Sequence, residues 1–286
     1  MTIPSRRRSD SPSNSAAPVP GHPASSVGSA VAVRVIKIGG RAQGDARLIP
    51  ALAAAARDAR VVVVHGGGDE LSALQRSMNV EPQFIDGRRV TSAADLEMVR
   101  MVLSGTINKR LVAQLTGAGV RAVGISGEDG GLLTAKLADP RFGRVGREVF
   151  SDASVVAHLL NGGWVPVISP LAREQGSANN AGLNVNGDDA AATIAAGLGA
   201  DELVFVADVP GVLDDGALVT SLDIEGARDL ADRGVAQGGM RAKLEAAETA
   251  LRSGVRRVRV TGLDGINDRA AGTTITLSTD APRGSE

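Results

Sequence analysis

The 286-residue chain reads as an α/β protein, a three-layer αβα sandwich with an open, mainly parallel central sheet. Three observations predict it. Short runs rich in Val and Ile are apolar nearly throughout instead of alternating, as strands buried on both faces are. Ala- and Leu-rich stretches of helical length separate these runs, as crossovers between parallel strands require. Glycine clusters follow the strand ends, where a chain in such a sheet turns into its next helix.

Residues 1–29 stand apart from that rhythm. Arg6, Arg7 and Arg8 precede a polar, proline-rich stretch rather than the apolar core of a signal peptide, so a disordered tail is expected and export is not. The fold opens with a strand at 31–38 and a helix at 45–58. A strand at 60–64 and a helix at 69–78 repeat the unit, and a long helical stretch at 92–117 leads to a strand at 120–125. Residues 131–149 break the pattern with short segments bounded by Gly and Pro, which predicts a β-hairpin excursion. A helix at 152–161, a strand at 164–169, a helix at 188–198 and a strand at 202–207 resume it. Helices at 222–233, 240–253 and 265–270 and strands at 255–260 and 274–277 complete the chain.

The core implied by 43% hydrophobic and 2% aromatic residues is built from Val, Leu, Ile and Ala. A net charge of −1 argues against a nucleic-acid or membrane-surface partner, whose footprint would be strongly basic. No apolar run is long enough to span a bilayer, and a cytoplasmic location is expected. The chain has no cysteine, which excludes disulfides, thiolate metal sites and a cysteine nucleophile. Only four of the 31 basic residues are lysines: Lys37, Lys109, Lys136 and Lys243. In a chain that otherwise uses arginine, each lysine merits inspection, because a compact ammonium and a planar guanidinium do different work.

The chemistry is expected at the carboxyl ends of the strands. The first strand ends in Lys37-Ile38-Gly39-Gly40. The second ends in His65-Gly66-Gly67-Gly68, directly before the acidic helix start Asp69-Glu70. Glycines there let backbone N–H groups approach an anion closely, and a helix N-terminus adds favourable partial charge. Each loop alone fits a tight turn; two on adjacent strands, with a lysine upstream, favour phosphate. Neither G-x-x-x-x-G-K-[ST] nor a strand-following G-x-G-x-x-G occurs, which disfavours the P-loop and dinucleotide folds. Asn184-Val185-Asn186-Gly187-Asp188-Asp189 crowds four polar side chains onto a helix start that needs one cap. Asp208-Val209-Pro210-Gly211-Val212 ends a strand in a turn, and Gly238-Gly239-Met240-Arg241-Ala242-Lys243 sets a lysine in the first turns of a helix. His65, at the end of a buried strand, reads as a structural hydrogen bonder rather than an acid or base.

These motifs, with Gly87-Arg88-Arg89-Val90-Thr91, occur in the order and rough spacing of the amino-acid kinase family, and the chain resembles its acetylglutamate kinases over about residues 31–277. The resemblance implies ATP-dependent phosphorylation of the side-chain carboxylate of N-acetyl-L-glutamate. Residues 30–199 would form a lobe for the acyl-amino-acid and for dimerisation, and 200–286 a lobe for ATP. A carboxylate is already an ionised nucleophile at neutral pH, so no general base is required, and catalysis reduces to positioning and charge neutralisation. Lys37 would bind the transferring phosphoryl group, Lys243 the ATP phosphates, and Asp188 would hold both ammonium groups. Gly40, Gly67 and Gly68 would donate backbone N–H groups to the transferring group and the substrate. Gly39, Asp208, Gly211, Gly239 and Met240 would complete the phosphate and ATP contacts. Arg89, chosen over Arg88 because it directly precedes Val-Thr, would take the substrate α-carboxylate as a bidentate pair, and Asn184 would contact the N-acyl amide. Mg²⁺ would ride on the nucleotide, with no protein metal ligand.

Two other readings remain. The segments 104–110 and 124–130 also resemble kinases for glutamate or aminoadipate linked to a carrier protein, for which Arg141, Arg144 and Arg147 would supply a basic docking surface. A non-catalytic amino-acid-binding subunit would need neither Lys37 nor Lys243. A homodimer insensitive to arginine is expected. The resemblance implies that arginine-regulated relatives assemble through an N-terminal helix, which Pro4, Pro12, Pro18, Pro20 and Pro23 forbid here. It also implies an effector pocket near the chain's end, where residues 260–273 depart from the regulated pattern.

Overall fold

The computed structural model describes residues 31–85, 88–178 and 181–277, all within one compact unit that begins at Val31. The expected tail at 1–29 and Gly87 of the arginine motif lie outside the described residues.

Strand β1 (Val33–Ile38) passes through a 3₁₀ turn (Arg41–Gly44) to α1 (Leu48–Asp58), and β2 (Arg60–His65) leads through three glycines into α2 (Gly68–Ser77). A two-residue hairpin, β3 (Phe84–Ile85) and β4 (Arg88–Arg89), precedes the long helical stretch. That stretch is three pieces: α3 (Ala93–Val99), a π-helical segment (Arg100–Ile107) and α4 (Asn108–Gly117). Ser92 and Asp95 close a reciprocal capping box at its start, Ser92 Oγ accepting from the Asp95 N–H at 3.1 Å and Asp95 Oδ2 from the Ser92 N–H at 2.9 Å. Then come β5 (Ala122–Ser126), β6 (Leu133–Leu137), β7 (Gly146–Ser151), α5 (Ser154–Asn161), β8 (Val165–Ser169), β9 (Leu171–Glu174) and β10 (Gly182–Asn184). Helix α6 (Gly187–Gly197) and β11 (Glu202–Val206) are followed by a second tiny hairpin, β12 (Leu213–Asp214) and β13 (Ala217–Leu218). The chain closes with β14 (Ser221–Asp223), α7 (Ile224–Asp232), α8 (Gly238–Arg252), β15 (Val258–Thr261), a 3₁₀ turn (Leu263–Ile266) and β16 (Thr273–Thr276).

Eight strands form the central sheet in the order β14-β16-β15-β11-β1-β2-β8-β5, and every adjacent pair is parallel except β15 with β16. Alternate residues of one strand feed two cores. Val35, Val62, Val64 and Phe205 pack with α5, α6 and α8 on one face; Ile36, Ile38, Val63 and Val206 pack with α1, α3 and α4 on the other. This is the αβα sandwich expected from the sequence, and the sheet runs through both of the lobes proposed from it.

The excursion at 131–149 is the hairpin β6–β7, but it belongs to a separate four-stranded sheet, β10-β9-β6-β7. Several boundaries shift, β15 starting at Val258 rather than 255 and α1 at Leu48 rather than 45, and two further differences have a visible cause. The helix expected at 222–233 starts at Ile224, because Ser221–Asp223 pairs with β16 and Asp223 then caps the Gly226 N–H at 2.7 Å. The helix expected at 265–270 is only the 3₁₀ turn Leu263–Ile266. Its last two carbonyls, of Gly265 and Ile266, are taken by buried arginines. Arg259, fully buried, donates to the carbonyls of Gly265, Asp268 and Ala271, and Arg34 donates to that of Ile266 at 2.7 Å. Both guanidiniums also hold Glu202, at 2.7 and 2.8 Å.

Candidate active site

Four elements converge at the carboxyl end of the sheet. Ile38 of β1 lies level with His65 of β2 on one side and Val206 of β11 on the other, so their following loops emerge side by side. The N-termini of α6 and α8, which pack on each other, face them from the α6 side of the sheet. Asn186 caps α6, its side-chain oxygen accepting from the Asp188 N–H at 2.7 Å. The carboxylate of Asp188 is therefore free of capping and points to the lysines. Lys37 Nζ stands 2.7 Å from Asp188 Oδ1, and Lys243 Nζ stands 3.4 Å from Asp188 Oδ2. Lys37 and Asp188 are buried. Burial pushes the Lys243 ammonium below the ordinary lysine value, Asp188 opposes that shift, and the nearby Lys37 adds to it. Both ammonium groups lean on one carboxylate, so the three side chains carry one net positive charge. Gly187 makes the approach possible, since a Cβ there would press on Lys37 Cε at 3.3 Å.

The two glycine loops differ in detail. The Gly39 N–H is spent on the Val206 carbonyl at 3.3 Å, whereas the N–H groups of Gly40, Gly67 and Gly68 have no acceptor among the described residues. Gly67 is required by packing as well: a Cβ there would sit 2.2 Å from Ile107 Cδ1 and 2.6 Å from Leu103 Cδ2 of the π-helical segment. Three donors without acceptors at the ends of β1 and β2 are chemically suited to an anion.

Gly68, Arg89 and Asn184 line a cavity of about 200 Å³ with Phe84, Arg88, Val145, Gly146, Val185 and Asn186. Asn184 donates to Thr91 Oγ1 at 3.1 Å. Arg89 is heavily engaged: it donates to the Gly68 carbonyl at 2.9 Å, to Ser72 Oγ at 2.6 Å and to Gln75 Oε1, and it lies over the Phe84 ring at 4.8 Å. Ser72 and Gln75 went unnoticed in the sequence. Their only signal is a polar pair three residues apart on the inward face of α2.

Asp188 and Gly239 line a second cavity of about 340 Å³, with Gly238 and Arg241. Asp208 lines a third, of about 460 Å³, and its half-exposed carboxylate lies 3.7 Å from Arg41. Met240 packs against the core. Gly211 borders none of the three; a Cβ there would meet Leu218 Cδ1 at 2.6 Å and Thr273 Oγ1 at 2.7 Å, so this glycine seats the β12–β13 hairpin on β16. His65 is fully buried, its Nδ1 2.9 Å from the Gly66 carbonyl and its Nε2 3.2 Å from Asn108 Nδ2. Desolvation pushes its pKa down to about 4, so the ring is neutral near pH 7. Among the described residues no three His, Asp or Glu side chains gather as metal donors. Of the hairpin arginines, Arg144 pairs with Glu174 at 2.8 Å and Arg141 with Asp139 at 3.2 Å.

Residues 32–262 match the profile of the amino acid kinase family. The acetylglutamate kinase of Chloroflexus aurantiacus is 42% identical over 241 residues, covering 82% of this chain and 94% of its own. A crystal structure from Streptococcus mutans superposes with a TM-score of 0.75 at 28% identity, covering 86% of this chain and 99% of its own. The carbamate kinase of Giardia superposes with a TM-score of 0.62 at 18% identity, covering 87% of this chain and all of its own (100%), a likeness of fold alone.

Proposed function

The chain belongs to the amino-acid kinase family, and on that premise we propose that it transfers the γ-phosphoryl group of ATP to the side-chain carboxylate of N-acetyl-L-glutamate, a step of arginine biosynthesis. The observation that carries the reading is the pair of ammonium groups on one buried carboxylate beside unused glycine N–H groups. An ionised carboxylate oxygen forms a bond to the γ-phosphorus as the bond from that phosphorus to the β–γ bridging oxygen breaks. ADP leaves with the electron pair, and no proton moves.

Each residue then has work that follows from its position. Lys37 and the N–H groups of Gly40, Gly67 and Gly68 stabilise charge on the transferring group, while Lys243 and Gly239 hold the phosphates on the donor side. Asp188 orients both ammonium groups and keeps them from repelling each other apart. Arg89 and Asn184 face the acyl-amino-acid cavity, where Arg89 is pre-set by Gly68, Ser72 and Gln75 to receive a carboxylate. The loop at Asp208 borders the nucleotide. Magnesium would be carried by the ATP phosphates rather than by protein ligands and would neutralise part of their charge. The paired state of Arg141 and Arg144 weighs against a carrier-protein docking surface. A cytoplasmic homodimer is the working form.

ATP turnover with N-acetylglutamate, N-succinylglutamate and carrier-linked glutamate, trapped with hydroxylamine, tests this reading. Hydroxamate is expected with a free acyl-glutamate; none with any of the three would contradict it.

A further inference from the structure

Among the described residues, Arg88 is a cation of this site with no hydrogen-bond or ion-pair partner. It neighbours Arg89 on β4, yet the two have different surroundings. Arg89 is fixed by three acceptors, whereas Arg88, half-buried, makes no hydrogen bond or contact ion pair among the described residues. Arg88 and Asp189 face each other from beyond ion-pair distance, across a cavity that both line with Arg147, Glu148 and Thr193.

Its position is informative. The acyl-amino-acid cavity and the cleft of Asp188 and Gly239 share two lining residues, Arg88 and Asn186. The Asn186 side-chain oxygen is committed to the α6 cap, so Arg88 is the cation at the junction. A group held inside one cavity would meet it from one side; a group passing between them must go by it. Charge counting points the same way. Lys37, Lys243 and Asp188 together bring one net positive charge to a transfer that joins a carboxylate to a phosphoryl group of greater negative charge. The Arg88 guanidinium adds a further positive charge, and its planar fork suits phosphoryl oxygens.

We propose that Arg88 is an anion ligand for the phosphoryl group in flight, closing on it where the two cavities meet. This rests on the kinase reading above. The adjacent arginines thereby divide the work. Arg89 is a pre-set part of the acyl-amino-acid cavity, and Arg88 acts on the group that crosses out of the donor cleft.

The test uses the full chain with Arg88→Leu, Arg88→Gln and Arg88→Lys. Steady-state kinetics are run beside calorimetric binding of N-acetylglutamate alone and of N-acetylglutamate with ADP and aluminium fluoride, a mimic of the phosphoryl group in transfer. In the Leu and Gln variants kcat is expected to fall on the order of 10- to 10²-fold. Affinity for the aluminium fluoride complex falls in step, while KM and Kd for N-acetylglutamate stay within about threefold. Arg88→Lys recovers part of the loss, which also shows that the site still folds. An unchanged kcat, or a KM for N-acetylglutamate raised about tenfold or more at constant kcat, overturns the proposal. Acyl phosphate absent from the unsubstituted enzyme would overturn the kinase reading itself, a result distinct from either.

Discussion

Asp188 stands between two ammonium groups at 2.7 and 3.4 Å, so each of the three side chains depends on the other two. Lys37→Ala and Lys243→Ala are expected to lower kcat by about 10² or more, since each removes a charge aimed at the reacting phosphates. Asp188→Asn should act similarly by releasing both lysines, with circular dichroism unchanged; near-normal turnover in either lysine variant would remove that residue from the mechanism. His65 makes a different kind of claim. Its folded pKa is about 4 against an ordinary value of 6.5, so between those values the unfolded chain binds the proton that the folded chain refuses. Its contribution is complete above pH 6.5 and is lost as pH falls toward 4. About 2 kcal/mol of stability should go between pH 7.5 and pH 5 on this account. Urea midpoints at the two pH values, compared with His65→Asn, isolate it; an equal pH effect in the variant would assign the loss to other groups. The crowded helix start marked Asp188 as more than a cap, while its pairing with Lys37 was foreseen only through the family resemblance. The engagement of Arg89 by Ser72 and Gln75 was not, because a polar pair on a helix does not announce which side chain from another element it meets.

At the scale of elements, the π-helical segment Arg100–Ile107 governs how α2 and the second glycine loop sit. Its wider turn brings Leu103 and Ile107 onto Gly67, leaving no room for a methyl group. Gly67→Ala is expected to cost about 1–3 kcal/mol by overpacking, read as a lower denaturant midpoint, and to lower activity by shifting the adjacent N–H donors. A midpoint equal to that of the unsubstituted protein would contradict the packing reason for this glycine. The Arg34–Glu202–Arg259 cluster sets the other end of the molecule. Two buried guanidiniums share one carboxylate and pass their remaining donors to the carbonyls of Gly265, Ile266, Asp268 and Ala271. Glu202→Gln should cost about 3–5 kcal/mol, because it leaves buried positive charge without its counter-ion; a loss well under 1 kcal/mol would mean that the carbonyls alone suffice. These elements escaped sequence reading for physical reasons. A π turn preserves helical composition, strands of three or four residues such as β9 and β10 are too short to show a period, and an arginine whose partners are distant carbonyls looks like any surface arginine. The long apolar strands were legible because burial on both faces leaves its mark on every residue.

For the whole molecule, the alternation of apolar strands with helical stretches was enough to foresee the sandwich, and the glycine loops marked the end of the sheet where chemistry was expected. Assembly is the least constrained property, since it depends on surfaces that composition describes poorly. The exposed Met101 gives the long helical stretch at 92–117 an apolar surface available for a two-fold contact. Light scattering should give the mass of two protomers and an activity titration no inhibition by millimolar arginine; a hexamer inhibited by arginine would overturn both expectations. Attack of a carboxylate oxygen on phosphorus is the step on which every assignment depends, and it leaves an isotopic mark. With N-acetylglutamate carrying ¹⁸O in its side-chain carboxylate, the acyl phosphate has a labelled bridging oxygen. Hydroxylamine then breaks the bond between that oxygen and the acyl carbon, and the released phosphate is examined by ³¹P NMR. The account requires phosphate bearing a single ¹⁸O; unlabelled phosphate alone would mean that water, and not the substrate carboxylate, accepts the phosphoryl group.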